Sequence, residues 1–397
     1  MNKNVFRIKK FKTPLRIIQF EYVQGMNILI CPDKFKGSLN APEVSEAIEE
    51  GIRIVTNDSN CTVMPLADGG DGSLAVLQSV LNLQNHKAMI SDPLGRKVES
   101  EFCTTINGEV AFIEMAQASG LQLLEENERR TKLTTSYGTG ELIFNAINLG
   151  VRKVVLMVGG SATTDGGIGM MAALGYQFID EKGKPIQPIG ESLIKISKII
   201  PNQFLSNISF EILTDVDNPL TGKNGAAYVY APQKGASPDE VAQLDAGLHN
   251  LSSIITRETG KNISQITGAG AAGGVSALLL AYRNAQIKSG IYKIMEYLHF
   301  EKQLIKADLV ITGEGKLDEQ TFKGKVVKGV LDRALKMNKQ VIVVCGNNQL
   351  NYPLPAPFDK VKINSLSNDQ LSLEYCMKNA RSLVVDRTIQ AIKETVI

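Results

Sequence analysis

A run of small residues around one carboxylate, GGSATTDGG at 159–167, is well suited to hold an anion. It stands between a strand-like and a helix-like stretch, so its backbone N–H groups and the helix N-terminus favour a group such as phosphate. Asp165 either caps the helix or accepts a proton as a base, and the sequence leaves both roles open. A glycine-rich turn that binds nothing is the alternative. The candidate binding residues are Gly159, Gly160, Ser161 and Thr163.

A second candidate segment, DKFKGS at 33–38, places two lysines two residues apart directly after a predicted strand. If the segment stays extended, Lys34 and Lys36 project similarly and form a compact double positive charge. We class both as catalytic candidates that hold anionic oxygens of a substrate or of a transferring phosphate, with Ser38 as a binding residue. A solvated loop with ordinary lysines is the alternative.

Two further segments carry carboxylates that suit a hard cation. In TDVDNP, Asp215 and Asp217 lie two residues apart on one face of a strand end, although an Asx turn ahead of the proline explains them equally well. TGEGKLDEQ concentrates Glu314, Lys316 and Asp318 in a predicted strand-end loop. We therefore predict Asp215, Glu314 and Asp318 as candidate ligands of Mg2+, and Lys316 as a contact to substrate or nucleotide.

Two glycine-rich segments add candidate contacts without completing a known fingerprint. GAGAAGG at 268–274 matches G-x-G-x-x-G, yet it lacks the preceding strand and the later acidic residue of a dinucleotide site. Close approach to a nucleotide and simple helix packing both remain open for it. The P-loop pattern G-x-x-x-x-G-K-[ST] does not occur. The candidate substrate- or nucleotide-binding residues of these segments are Asp68, Gly69, Gly70 and Asp71 in ADGGDG, and Gly268, Gly270 and Gly273 in GAGAAGG.

Composition excludes several classes of function. The net charge of +2 gives no basic footprint for nucleic acid, and the apolar runs are far shorter than the ~18 residues of a membrane span. The five cysteines are far apart and form no CxxC pair, so we expect buried thiols in a reducing cytoplasm. The nucleophile pattern G-x-S-x-G is also absent. Glycines, carboxylates and lysines remain, and that inventory suits metal-assisted phosphoryl transfer.

Strand-like and helix-like stretches alternate along most of the chain, which predicts an α/β fold with a largely parallel sheet. The predicted strands are 28–31, 61–66, 152–158, 209–214, 307–312 and 340–345. The predicted helices are 41–55, 71–83, 167–176, 270–284 and 325–337. Open α/β sheets bind ligands at the carboxyl ends of their strands. We therefore expect one crevice from four loops and a second one from the middle of the chain; the four loops are 33–38, 67–72, 312–320 and 345–348.

Taken together, ten collinear motifs resemble the bacterial glycerate kinase family, whose members make glycerate phosphate from ATP and D-glycerate. The motifs are PDKFKGSL, PLADGGDGS, DPLGRKV, IEMAQASGL, TTSYGTGEL, GGSATTDGGIGM, TDVDNPLTGKNGAA, PQKGAS, GAGAAGG and ADLVITGEGKLDEQTFKGK. The sequence departs from the family pattern at Asp71 and Ser73, where Glu and Thr are frequent, and at 129–131, where Arg-Asn-Pro is frequent. None of these departures removes a group that the chemistry needs.

The resemblance implies two α/β domains, one flavodoxin-like with a doubly wound parallel sheet and the other inserted into it. We place the flavodoxin-like domain at 26–90 plus 290–397, the inserted domain at 91–289, and a poorly ordered extension at 1–25. The implied reaction is ATP-dependent phosphorylation of D-glycerate to 2-phosphoglycerate with Mg2+; a homodimer is one option for the assembly. The alternatives are 3-phosphoglycerate as product, another small hydroxy acid as substrate, or a nucleotide- or metabolite-binding protein without catalysis.

Removal of the first 25 residues tests whether that segment is only an extension. A strand-like stretch begins immediately after Met26, whereas 1–25 shows no periodic apolar face that could join a core. We therefore expect a chain that starts at Met26 to keep its melting temperature and its turnover. A large loss of either, measured against the full-length chain, would contradict this prediction.

Overall fold

The fold is seen in a computed structural model that describes residues 25–395 except 57, 323, 352, 355–358, 360, 368–370 and the side chain of Phe204. The extension predicted at 1–25 lies outside this range apart from Gly25. The fold is α/β with parallel strands in both main sheets, as predicted. Two compact units divide the chain. The first holds the residues up to Met64, Lys302–Leu317 and those from Val330; the second holds Pro65–Glu301 and Asp318–Gly329.

The regular elements alternate as the α/β prediction requires. The strands are β1 (Asn27–Ile30), β2 (Asn60–Val63), β3 (Leu83–Ser91), β4 (Lys97–Thr105), β5 (Val110–Glu114), β6 (Lys153–Met157), β7 (Gln177–Ile179), β8 (Lys198–Ile200), β9 (Ser209–Leu213), β10 (Gln286–Lys288), β11 (Leu309–Leu317), β12 (Gln340–Asn348) and β13 (Lys362–Ser365). The α-helices are α1 (Ala41–Val55), α2 (Ser73–Val80), α3 (Ala116–Ser119), α4 (Tyr137–Asn148), α5 (Ile168–Ala173), α6 (Ala226–Tyr230), α7 (Pro238–Thr259), α8 (Ala271–Gly274), α9 (Ser276–Arg283), α10 (Gly290–Tyr297), α11 (Phe300–Lys306), α12 (Val326–Lys336), α13 (Leu373–Lys378) and α14 (Ala380–Thr395). Within the described ranges, none of the helices is both long and apolar enough to cross a bilayer.

The first unit is built on a five-stranded sheet in which every neighbouring pair is parallel. The strands run in the order β2-β1-β11-β12-β13, which becomes 2-1-3-4-5 when they are numbered along the chain. That is the strand order of the predicted flavodoxin-like domain. The order changes direction between β1 and β11, so the carboxyl ends of these two strands flank the switch point at which such sheets bind ligands.

Helix α1 shows how local sequence sets an element of this unit. It begins after Asn40, whose side chain accepts a hydrogen bond from the Glu43 N–H while the Glu43 carboxylate accepts one from the Asn40 N–H. This reciprocal cap satisfies two donors that the helix end would otherwise leave open. A Cβ on Gly51 of α1 would lie 2.8 Å from the Cβ of Thr388 in α14. The two helices therefore pack with their backbones close together.

The second unit is built on a six-stranded mixed sheet in the order β10-β9-β6-β5-β4-β3. Strands β5, β6, β9 and β10 are parallel neighbours, whereas β3, β4 and β5 are joined antiparallel. Strand β6, in the middle of the parallel part, is strongly apolar: four of its five residues, KVVLM, are buried. Continuous apolar strands of this kind are typical of parallel sheets that are covered on both faces.

The second unit begins after residue 64, extends to 301 and also includes Asp318–Gly329, whereas the predicted inserted domain spans 91–289. Two carboxylates hold the intervening segments in the second unit. Glu114 at the end of β5 accepts hydrogen bonds from two backbone N–H groups at the start of α2. Asp215, after β9, accepts two more from the start of α10. All four hydrogen bonds join residues at least 40 positions apart, so no local pattern reveals them.

Candidate active site

Two of the predicted loops meet in the second unit. The Gly159 N–H donates to the carbonyl oxygen of Gly69 across 3.2 Å, and a Cβ on Gly159 would overlap the Cα of Gly70. Gly160 adopts a φ of +76°, and a Cβ there would lie 3.3 Å from the Cβ of Asp71. Glycine is needed at 159 for the close approach and favoured at 160 by the positive φ. The structure thus joins ADGGDG to GGSATTDGG, whereas the sequence predicts ADGGDG in one crevice with the loops at 33–38, 312–320 and 345–348.

Asp165 lies fully buried in the GGSATTDGG loop with both carboxylate oxygens engaged. Its Oδ2 accepts hydrogen bonds from the N–H and the hydroxyl of Ser136, both at 2.7 Å, and from the Gly169 N–H at 3.3 Å. Its Oδ1 accepts one from the Gly167 N–H at 3.1 Å. Burial raises the pKa of Asp165, and these hydrogen bonds oppose the rise. Since Gly167 and Gly169 stand at the start of α5, the geometry matches the capping alternative. The base role stays a prediction.

A hydroxyl-rich segment behind this loop, TTS at 134–136, was not among the sequence candidates. The Ser136 hydroxyl donates to Asp165 and accepts from the Met170 N–H at 2.8 Å. The Thr134 hydroxyl donates to the carbonyl oxygen of Ala162 at 3.1 Å. Both side chains are fully buried, so they hold the loop backbone in place rather than facing a ligand. Its sequence signal was the family motif TTSYGTGEL.

The glycines of GAGAAGG pack against the backbone of neighbouring loops. A Cβ on Gly270 would overlap the carbonyl oxygen of Pro219, and one on Gly273 would overlap that of Thr163. Gly268 and Gly273 also adopt positive φ values of +80° and +71°. Close packing therefore explains this motif, and nucleotide contact at its three glycines stays a prediction.

Asp215, the predicted metal ligand of the second unit, lies near a second carboxylate, that of Asp68. Its Oδ1 accepts hydrogen bonds from the Ser289 hydroxyl at 2.7 Å and the Gly290 N–H at 2.9 Å, and its Oδ2 accepts one from the Ile291 N–H at 3.1 Å. Burial raises the pKa of Asp215 to about 7; the Ser289 hydrogen bond opposes this rise, and the charge of Asp68 adds to it. Asp215 thus caps α10 and experiences the charge of Asp68. Ser289 was not predicted.

In the first unit, DKFKGS follows β1 at the switch point of the parallel sheet. Phe35 is buried between Lys34, which is half-buried, and Lys36, which is exposed. The N–H and the hydroxyl of Ser38 both donate to the carbonyl oxygen of Phe35, at 2.9 and 3.1 Å, and close a turn. A Cβ on Gly315 would lie 3.1 Å from the backbone nitrogen of Lys36. The structure therefore brings 33–38 beside β11, as expected for one crevice.

The charged segment TGEGKLDEQ is mostly strand, not the loop that the sequence predicted. Strand β11 continues to Leu317 because its backbone stays paired with β12 over that length. Glu314 is therefore a buried strand residue and Lys316 an exposed one, while Asp318 follows the strand end and closes a turn. No three His, Cys, Asp or Glu side chains of the described residues form a metal-binding group. Metal binding by Glu314 or Asp318 stays a prediction.

Comparison with known proteins gives one consistent family. The model of the glycerate kinase family matches residues 28–396. A glycerate kinase from Haemophilus influenzae is 45% identical over 324 residues, which is 81% of this chain and 86% of that protein. A glycerate 2-kinase from Escherichia coli K12 is 41% identical over 327 residues, 81% of this chain and 85% of that protein. A crystal structure from Salmonella typhimurium LT2, provisionally described as glycerate kinase 2, is 38% identical with a TM-score of 0.80 and covers 94% of this chain and 98% of its own.

Proposed function

Because this chain belongs to the glycerate kinase family, we propose that it transfers a phosphoryl group from ATP to D-glycerate and forms 2-phosphoglycerate with Mg2+. The observation that carries the proposal is the family match over residues 28–396. The 41% identity to a relative named glycerate 2-kinase supports the 2-hydroxyl as acceptor. All five cysteines are free thiols, which suits the reducing cytoplasm in which we place the reaction.

The proposed reaction depends on positioning and charge neutralisation more than on covalent chemistry. The transferring phosphoryl group spreads negative charge over three oxygens, and glycerate adds a carboxylate. We assign Lys34 and Lys36 to these anionic oxygens, because they follow β1 at the switch point of the sheet and ammonium groups can neutralise developing charge there. The backbone N–H groups of Gly160 and Ser161 can hold a second anionic group. Loss of the glycerate hydroxyl proton calls for a positioned base, for which Asp165 is the candidate.

The carboxylates of Asp68 and Asp215 fit Mg2+ better than the other candidate ligands do. Proteins hold Mg2+ with one or two carboxylates, completed by water and substrate phosphates. The repulsion between these two side chains contributes to the raised pKa of Asp215, and a cation held by both would remove it. When bound, Mg2+ would supply neutralisation of the phosphate oxygens. We therefore place the ion at this pair and keep Glu314 and Asp318 as the second choice.

Asp215→Asn is expected to raise the Mg2+ concentration needed for the half-maximal rate about tenfold or more, a typical loss when a metal site is damaged. We also expect Mg2+ to raise the melting temperature of the wild type and to leave that of this variant unchanged, a readout that needs no turnover. Asp217→Asn is the matched control, because Asp217 is an exposed aspartate two residues further on. If Glu314→Gln is the variant that demands more Mg2+ and Asp215→Asn is not, the ion is held at β11 instead.

Lys34→Ala and Lys36→Ala are each expected to lower kcat/KM about ten- to a hundredfold, since a hydrogen bond to a charged group is worth about 1.5–3 kcal/mol. Lys336→Ala serves as control, because Lys336 is an exposed lysine of α12 with no place in the site. Steady-state kinetics on folded variants are the measurement. Two lysine variants that stay within about twofold of the wild type would identify both residues as solvated bystanders.

A coupled ADP-release assay tests the proposed function and its alternatives together. We expect ADP release that requires both ATP and D-glycerate, with much lower rates for other small hydroxy acids. ATP binding without release would instead support a nucleotide-binding protein, and a faster rate with another hydroxy acid would replace D-glycerate as the substrate.

A further inference from the structure

Lys234 is a buried lysine to which the proposed reaction gives no role. It ends the short helix Pro232–Lys234 in the segment PQKGAS, and only 2% of its surface is exposed. Its Nζ donates to the Oγ of Ser161 at 2.9 Å and to the carbonyl oxygen of Thr163 at 2.7 Å. Burial of an ammonium group is costly unless its surroundings compensate the charge. The desolvation cost of placing Lys234 beneath the GGSATTDGG loop suggests that this lysine has a function there.

The surroundings of Lys234 hold the side chain in one place. Gly235 adopts a φ of +90°, and a Cβ there would overlap the carbonyl oxygen of Arg129, so the chain turns sharply just after the lysine. Ser161, Thr163 and Asp165 are the polar groups that face Lys234 among the described residues. Burial lowers the pKa of Lys234 to about 7, and the attraction of Asp165 opposes this effect. The side chain therefore changes between charged and neutral forms near neutral pH.

Ser161 is the side chain of the loop that Lys234 contacts. It is buried, with 7% of the residue exposed, and it directly follows Gly160. A serine hydroxyl has one hydrogen to donate and two lone pairs that accept. An ammonium group can only donate, so it occupies a lone pair of Oγ and leaves the serine hydrogen to point away from it. Within the described part of the chain, that hydrogen has no acceptor.

We propose that Lys234 is a positioning residue of the site: it fixes the Ser161 hydroxyl as an outward donor to an anionic oxygen of the substrate. This inference rests on the proposed function, and it names the side chain of the loop that contacts the anion. The nearby cation also polarises the hydroxyl and strengthens the bond that it donates. The oxygen belongs to the carboxylate of D-glycerate or to a phosphate of ATP, and the kinetics below separate the two.

A double-mutant cycle tests the coupling of the two residues. Ser161→Ala is expected to lower kcat/KM about tenfold or more, in the range of a lost bond to a charged group. Lys234→Met should cause a similar loss, and the double variant should lose no more than Lys234→Met alone. A double loss equal to the product of the two single losses would show independent residues and overturn the proposal. If the carboxylate is the partner, the KM for D-glycerate rises; if a phosphate is, the KM for ATP rises.

Lys261→Met is the matched control for removal of a lysine. The Nζ of Lys261 also donates to a carbonyl oxygen, that of Ala281, and to a side-chain oxygen, that of Asn284, at 2.7 and 2.5 Å. It lies in the same unit and makes neither bond to the GGSATTDGG loop. We expect this variant to keep kcat/KM within about twofold even if its melting temperature falls. An equal loss of kcat/KM in both lysine variants would reduce Lys234 to a structural role.

Because Lys234→Met could fail to fold, the pH profile of kcat/KM provides a second test that leaves Lys234 in place. A neutral amine can accept the serine hydrogen, which turns it inward, so the wild-type profile should fall as pH rises through about 7. Ser161→Ala has no hydroxyl to turn and should lack this alkaline limb. Asp165 is present in both proteins, so any contribution that it makes to the two pH profiles is the same and does not affect their difference. A limb of equal size in both proteins would overturn the proposal.

Failure of the proposed function would be visible in the wild type alone, as absence of ADP release. Calorimetric binding of D-glycerate and of inorganic phosphate to the same variants would then replace kcat/KM. Weaker binding by Ser161→Ala and by Lys234→Met, with Lys261→Met unchanged, supports the role of Lys234. Equal binding by all of them, or binding by none, overturns it.

Discussion

Replacement of Asp165 by asparagine is expected to lower kcat/KM about a hundredfold or more and the free energy of unfolding by about 3 kcal/mol or more. The carboxylate accepts four hydrogen bonds from three residues of the loop and its support. Asparagine offers a single oxygen, so its amide group must face at least one of these donors. It also removes the charge that compensates Lys234. Steady-state kinetics and denaturant unfolding are the measurements.

Asp245→Asn controls for the loss of a buried carboxylate in the same unit. Asp245 is buried and accepts a hydrogen bond from the Gly222 N–H at 2.8 Å, which an asparagine oxygen can still accept. We expect only a small change in this variant. If Asp165→Asn loses kcat while it keeps full stability and an unchanged Mg2+ requirement, Asp165 is the base and not mainly the anchor of the loop. Loss of both activity and stability supports the anchoring role.

Gly159→Ala is expected to lower kcat/KM about a hundredfold, the effect that a displacement of about 1 Å in an active site can produce. The added methyl group would overlap the Cα of Gly70, and backbone cannot rotate away as a side chain can. The loop 159–161 and ADGGDG must therefore move apart, and the Gly159 hydrogen bond to Gly69 is lost. Kinetics together with melting temperature separate this local displacement from unfolding.

Gly329→Ala is the comparison for a methyl group added at a crowded glycine. A Cβ on Gly329 would lie 2.7 Å from a side-chain carbon of Ile291, which can change rotamer, and Gly329 has no positive φ. Alanine is also the better helix former in α12. We expect kcat/KM close to that of the wild type. A Gly159→Ala enzyme with similarly unchanged kinetics would show that the contact between the two loops has no part in catalysis.

Elements with strong local signals could be predicted from the sequence. Helix α1 has the predicted bounds, because the Asn40–Glu43 capping box marks its start and its apolar face is regular. Strands β6 and β9 end within one residue of their predicted limits, since apolar residues make up four of the five positions of β6 and three of the five of β9. Their order in the sheet was not predicted, because hydrophobic periodicity does not determine which strands are neighbours.

Other elements were missed because their signals are weak or lie far away in the chain. Strands β3 and β4 carry many exposed polar residues, since their antiparallel part of the sheet is less covered. Helix α7 is absent from the predicted helices, because its capping segment, SPDE, lies in a polar stretch and its apolar positions are spread among many polar ones. The burial of these elements depends on tertiary contacts, which the local sequence does not reveal.

The candidate site shows the same limit. The glycines of GGSATTDGG and ADGGDG could be selected by type, but their mutual contact joins positions about 90 residues apart. Lys234 belongs to the motif PQKGAS, but the sequence predicts no functional role for it, because a lysine in a polar segment is usually solvated. Its burial under Ser161 is a property of the fold.

Phosphorus NMR of the product formed from ATP and D-glycerate tests the central claim most directly. The account predicts a new resonance that matches 2-phosphoglycerate, formed with an equal amount of ADP and dependent on Mg2+. A resonance that matches 3-phosphoglycerate would keep the kinase and contradict the proposed acceptor hydroxyl. Absence of any phosphorylated glycerate from a folded, full-length protein that binds ATP would contradict the claim that this chain is a D-glycerate kinase.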